Sequence, residues 1–181
     1  DLSDSFISYN ITFAYNKKLK TVNLNNSILE KDMSNLFEGC TALENVNFDN
    51  VNTENVTNMH ALFYKCSNLT NLNLSDFTTS NVADISNMFL ECYSLTKLDL
   101  SSFDTTNMIV MTRMFSGCSK LAELDISNFT FNDTVMGTSY NHRSMFYNMP
   151  TLAIVKVNDD NEKVAVLSIN SKWTSDNIII V

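Results

Sequence analysis

Glycine and proline are nearly missing: three Gly and one Pro in 181 residues. A chain that folds without them must turn on Asn, Asp, Ser and Thr, whose side chains bond nearby backbone. Basic residues are also few, 12 Lys and Arg against 20 Asp and Glu, for a formal charge of −8. That balance argues against nucleic acid and against an anionic membrane surface, both of which want a basic face. No apolar run approaches the roughly 20 residues of a membrane-spanning helix; the C-terminal run is only Ile178-Ile-Ile-Val181. A signal peptide, a lipobox and an anchor are missing, and the chain begins at Asp1 without Met, so it reads as a segment of a larger protein. Two histidines, His60 and His142, leave little for acid–base chemistry. Gly-rich phosphate loops, Gly-x-Ser-x-Gly elbows and zinc-ligand spacings do not occur. Hence no cofactor and no metal site is expected, and a catalytic role is not.

What is present is repetition. The stretch Met111-Thr-Arg-Met-Phe-Ser-Gly-Cys-Ser-Lys-Leu-Ala-Glu-Leu-Asp-Ile126 recurs in form from Met33, from Met59 and, with Ile for the first Met, from Ile85. Cys40, Cys66, Cys92 and Cys118 are each 26 residues apart. A fixed period in the twenties marks a solenoid, in which one repeat cannot bury its own apolar face and stacking makes the core. Met108, Met111, Met114, Phe115 and Cys118 fall three and four apart, the spacing of one helix face, with Asn107 (and Asn55 and Asn81 before it) at the N-cap position. Leu121, Leu124 and Ile126 then read as a short strand. The expected fold class is therefore α/β: a leucine-rich-repeat-like solenoid, with a parallel sheet of short strands on one side and short helices on the other.

Stacking predicts ladders of Phe37, Phe63, Phe89, Phe115 and Phe146, of Leu43, Leu69, Leu95, Leu121 and Leu152, and of Phe77, Phe103 and Phe129. These are core, not a cofactor box; each buried side chain stabilises by about 1.5–3 kcal/mol. The cysteines are expected to be buried free thiols, because helices in neighbouring repeats pack about 8–10 Å apart and a disulfide needs Cα atoms within roughly 7 Å. The expected organisation is an N-terminal cap over 1–18, about five to six repeats over 19–157, and a C-terminal cap or the start of a next segment over 158–181. Within the cap, Phe13 sits six before Leu19 as Phe37 sits six before Leu43. Val164, Val166 and Ile169, then Trp173 and Ile178 to Val181, suggest strands that close the end, with Trp173 over the last turn. Leu121 to Leu152 spans 31 residues instead of 26, which places an insertion at 130–143.

The repeat Asn-Val-x-x-Met-x-x-Met-Phe-x-x-Cys-x-x-Leu-x-x-Leu-Asp-Leu-Ser-x-Phe-Asp-Thr, matched best over Leu98-Asp-Leu-Ser-Ser-Phe-Asp-Thr-Thr-Asn107, resembles the 26-residue leucine-rich-like repeat of BspA-like bacterial surface proteins over about 33–157. The resemblance implies an exported, often lipid- or wall-anchored protein, usually described as an adhesin, at the cell surface or outside the cell. It carries no catalytic residues.

The outward strand face is the expected partner-binding surface. It presents Asn71, Asn73, Lys97, Asp99, Glu123 and Asp125 in successive repeats, and repeat proteins use such continuous faces for partners. Hot spots favour Tyr, Trp and Arg; the insertion offers Tyr140 and Arg143. A protein or glycan ligand is expected, without nucleic acid, without membrane insertion and with a monomer. His60 is expected to be an exposed surface residue. The run Asn158-Asp-Asp-Asn-Glu162 is read as solvated loop charge.

Overall fold

Side-chain oxygens close the corners of this chain. In the computed structural model, Asn47, Asn73, Asp99 and Asp125 each accept the backbone N–H two residues on, from Asp49, Ser75, Ser101 and Ser127. Asp32, Asn58 and Asp84 do the same for Ser34, His60 and Ser86 at a second corner. Asn52 and Asp104 cap Glu54 and Thr106 at a third. Each such bond replaces the turn that Gly or Pro would otherwise provide. The structure describes residues 1–7, 12–131, 144–151, 153–170 and 172–181.

Between corners the backbone runs extended and pairs in parallel with the coils on either side. One face holds β1 (Phe6–Ile7), β3 (Ile28–Asp32) and β5 (Asn52–Asn58), continued by bridges from Asn58 to Asp84 and from Asp84 to Val110. A second face holds β2 (Thr21–Asn23) with β4 (Asn45–Asn47), then β6 (Lys97–Asp99), β7 (Glu123–Asp125), β8 (Ile154–Val157) and β9 (Ile178–Ile180). The register on this face follows the repeat: Val22 opposite Val46, and Leu98 opposite Leu124 opposite Val155. The architecture is a parallel β-solenoid of about six turns.

The third face corrects the expected helices. From Met33 to Cys40, Met59 to Cys66, Ile85 to Cys92 and Met111 to Cys118 the chain is a run of turns. Asn35 and Gly39, Ala61 and Lys65, Asn87 and Glu91, and Arg113 and Gly117 take left-handed φ, between 52° and 79°. Two left-handed residues four apart end any helix. The N–H groups of Met59, Ala61, Phe63 and Lys65 reach instead to the carbonyls of Asp84, Ser86, Met88 and Leu90 in the next coil. The same apolar spacing turns Met, Phe and Cys inward, which is why a helical period appears in the sequence. Asn55 accordingly lies in β5 rather than at an N-cap, and Asn81 and Asn107 donate from their amides to the carbonyls of Glu54 and Ser80 in the preceding coil.

Ladders fill the interior. Phe13, Phe37, Phe63, Phe89, Phe115 and Phe146 stack with centroids 5.3–5.9 Å apart and planes within 9°. Trp173 ends the column 5.1 Å from Phe146, tilted by 42°. A column of buried hydroxyls from Ser27, Thr53, Thr79 and Thr105 runs beside it. Thr53 and Thr79 donate to the carbonyls of Thr78 and Asp104 one coil on, so no hydroxyl of that pair is stranded. Phe131, the last described residue before 144, takes the next place in that column. The expected ladder member Leu152 lies outside the described residues.

The four cysteines are free and buried. The reason differs from the expected one. Coils stack at β-sheet spacing, about 4.8 Å, so distance does not keep the sulfurs apart. Each thiol instead donates to a Phe carbonyl, Cys40 to Phe13 at 3.0 Å, and Cys66 to Phe37, Cys92 to Phe63 and Cys118 to Phe89 at 3.1 Å. Burial pushes the Cys92 thiol well above its usual pKa and Cys118 up to about 12.

The single α-helix among the described residues, α1 (Asp160–Ile169), replaces the strands expected there. Asp159 caps it, accepting from the N–H groups of Asn161 and Glu162, so the acidic run is a helix start and not a loop. Hydrogen bonds from Glu162, joined by the Asn161 N–H, lower the Asp159 carboxyl below its usual value, while burial, joined by the contact with Asp159, raises that of Glu162.

Candidate functional site

The outward strand face brings together six of the eight residues expected to meet a partner. Asn71, Lys97, Asp99 and Glu123 are exposed, as is the rim of Asn73, and Asp125 is half-buried. Tyr140 and Arg143 lie outside the described residues. Asn71 and Asn73 line a shallow depression of about 340 Å³ with Asn45, Asn47, Lys97 and Asp99. A second hollow of about 170 Å³ follows, lined by Lys97, Asp99, Glu123, Asp125 and Lys156.

The first depression has a structural cause. Asn71-Leu72-Asn73 occupies the register between β4 and β6 but forms no strand, so the face divides into two sheets there. Leu72 is only partly buried, whereas its counterparts Val46 and Leu98 are 2% and 1% exposed. Its floor is therefore apolar and its rim carries side-chain amides.

Several of these groups are already engaged. The Oδ1 atoms of Asn73, Asp99 and Asp125 hold the corner turns described above, leaving Nδ2 of Asn73 and Oδ2 of Asp99 for a ligand. Lys97 Nζ meets Glu123 Oε2 at 3.0 Å, and Lys156 Nζ meets Asp125 Oδ2 at 3.2 Å. Glu123 raises the Lys97 pKa through this bond. Burial works to raise the Asp125 carboxyl, but the bonds from Ser127 and Lys156 outweigh it and hold the carboxyl below its usual value. Exposed pairs of this kind contribute about 0–1 kcal/mol, so they set the charge pattern of the face more than its stability. Lys156 was not among the expected residues; its place in Leu152-x-x-Val155-x-Val157, one register step from Asp125, is the signal that finds it.

His60 is half-buried at a corner, not exposed. Its Nδ1 lies 2.7 Å from Ser86 Oγ, which donates to Asp84 Oδ1 at 2.5 Å. With the serine hydroxyl donating to the carboxylate, the tautomer that completes this network carries its proton on Nδ1. A nucleophilic serine needs the reverse arrangement, with the histidine accepting its proton. His142 lies outside the described residues. Among the described residues no group of three or more His, Cys, Asp or Glu side chains is placed to hold a metal ion. No helix among them is long and apolar enough to cross a membrane.

These features define a β-solenoid repeat protein with a polar strand face. The chain belongs to the family described as Mycoplasma protein of unknown function, DUF285, which matches residues 31–158. No curated protein and no solved structure matches the chain.

Proposed function

We propose that this chain is a non-catalytic recognition module, working at the cell surface or outside the cell, that binds a protein or glycan partner through its outward strand face. One observation carries the reading: Asn71, Asn73, Lys97, Asp99, Glu123 and Asp125 stand side by side from coil to coil over two connected hollows. A rigid array of that kind can meet an extended partner at several points at once. The resemblance of the repeats to BspA-like, leucine-rich-type surface proteins, usually described as adhesins, supports the location and the adhesive role. The Ser86 hydroxyl, directed at the Asp84 carboxylate, is in keeping with a non-catalytic role.

The test is an array of glycans and matrix proteins probed with the intact protein. Asn71→Arg alters the face without touching a corner turn, and Asp99→Arg reverses a charge within it. Loss of the bound spots in both variants is the expected result. Binding to no spot, or binding unchanged by both, counts against the reading. A second reading is a spacer that holds another domain away from the cell. The internal pairing of Lys97 with Glu123 and of Asp125 with Lys156 favours it, because a face that satisfies its own charges needs no partner. The spacer reading expects full tolerance of both substitutions.

A further inference from the structure

Every tyrosine among the described residues lies on or beside the turn face, away from the strand face: Tyr15, Tyr64, Tyr93 and Tyr147. Two of them are satisfied locally. Tyr15 donates its hydroxyl to Glu38 while its ring covers Gly39, and Tyr93 donates to Glu91 Oε2 at 2.8 Å. Both bonds raise the tyrosine pKa. Tyr147, 66% exposed, has no such partner among the described residues.

Tyr64 and Tyr147 stand at the two ends of one depression of about 350 Å³, with Leu90, Glu91, Arg113, Ser116 and Ser144 between them. Tyr64, Leu90, Ser116 and Tyr147 are the same position of four successive coils. Their carbonyls receive the N–H groups of Gly39, Lys65, Glu91 and Gly117. Three coil steps at about 4.8 Å put the rings roughly 14 Å apart. Lys65 places its ammonium 4.8 Å from the Tyr64 ring centroid. Glu91, the one carboxylate in the depression, already accepts from Tyr93. The Arg113 guanidinium is exposed and makes no hydrogen bond or ion pair with any described residue.

The geometry points to this cleft as a binding site for a short acidic oligosaccharide, of about three to four sugar units. The exposed Tyr147 ring offers an apolar face to the C–H face of a sugar ring at one end, and at the other the Tyr64 ring carries the Lys65 ammonium, a second cation for an acidic sugar. Ser116 and Ser144 offer hydroxyls between them. The exposed fork of Arg113 fits a carboxylate or sulfate, which a guanidinium holds in bidentate fashion. In a chain of net charge −8, an arginine unpaired among the described residues, beside two aromatic rings, selects an anion. The site lies on the turn face, so its fate is separate from that of the strand-face reading.

The experiment titrates the intact protein with three tetrasaccharides: a hyaluronan fragment, a heparin-type fragment and neutral maltotetraose. At least one acidic fragment is expected to bind about tenfold or more tightly than maltotetraose, a difference of one decade in Kd. Arg113→Gln should bring the acidic fragment down to the neutral level, and Tyr147→Ala should abolish binding of both. Lys120→Gln, which removes an exposed cation elsewhere, should change nothing. All of these positions are exposed, and thermal unfolding of each variant confirms that it is folded. Three outcomes overturn the proposal: no binding of either acidic fragment at about 1 mM, binding indifferent to Arg113→Gln and Tyr147→Ala, or a protein ligand held at this cleft that neither acidic fragment displaces.

Discussion

At the scale of single residues, asparagine and aspartate do the work that glycine and proline do elsewhere. This much is legible in the amino-acid composition, because a chain with three Gly and one Pro has few other ways to turn. What the sequence does not show is that Asn73, Asp99 and Asp125 are turn-formers and strand-face residues at once. Alternation marks them as outward, and nothing in alternation says that one oxygen is spent on a neighbouring N–H. Asp99→Ala removes that acceptor from both the Ser101 N–H and hydroxyl and should cost about 1 kcal/mol. Asp99→Asn keeps an acceptor and should cost little. Urea titration of the two variants checks the pair; equal losses would remove the turn from the account.

The thiols act at the same scale. Burial holds Cys118 at about 12, and raises Cys66 and Cys92 in the same direction. An unfolded thiol ionises near 8.5. Because the folded values are raised, the stability these groups contribute is complete below about pH 8.5 and falls as the pH rises toward the folded values. The loss is about 1.4 kcal/mol per pH unit for each buried thiol. The urea midpoint should drop between about pH 8 and 9.5, and should drop less in Cys92→Ala. Native protein should react with Ellman's reagent only as fast as it unfolds.

At the scale of elements, the turn face is where sequence and structure part. Spacings of three and four identify the inward residues Met59, Phe63 and Cys66 correctly, and all are 0% exposed. They do not distinguish a helix from a run of turns with a left-handed residue every four, since both return a side chain inward at that spacing. The distinguishing signal is present but faint: Asn35, Asn87, Gly39 and Gly117 are residues that accept left-handed φ, while Ala61, Lys65, Glu91 and Arg113 at the same places are not. Gly117→Ala puts a Cβ on a residue at φ +79° and should cost about 1–2 kcal/mol in thermal or urea unfolding. A neutral result would mean that the backbone there is not left-handed. The helix α1 fails in the opposite sense. Val164 and Val166 alternate, but Val164 is 67% exposed and only Val166 turns inward, and the capping carboxylate of Asp159 decides the matter.

At the scale of the whole molecule, the period of 26 residues dictates a stack, and the Phe column with Trp173 at its end is the stack's axis. The strand face is readable in the sequence because its residues recur within one period. The cleft between Tyr64 and Tyr147 is not, because its parts come from four coils and from a stretch that reads as helix. A single hydrogen bond separates this solenoid from the α/β alternative. In the structure the Phe63 N–H bonds the carbonyl of Met88, 2.9 Å away and one coil on; in a helix it would bond the carbonyl of Met59, four residues back. Scalar coupling across hydrogen bonds, measured by NMR on labelled protein, reads the partner directly. Coupling from the Phe63 nitrogen to the Met88 carbonyl carbon, repeated from Phe89 to Met114, is the expected result. Coupling to Met59 and Ile85 instead would contradict the account.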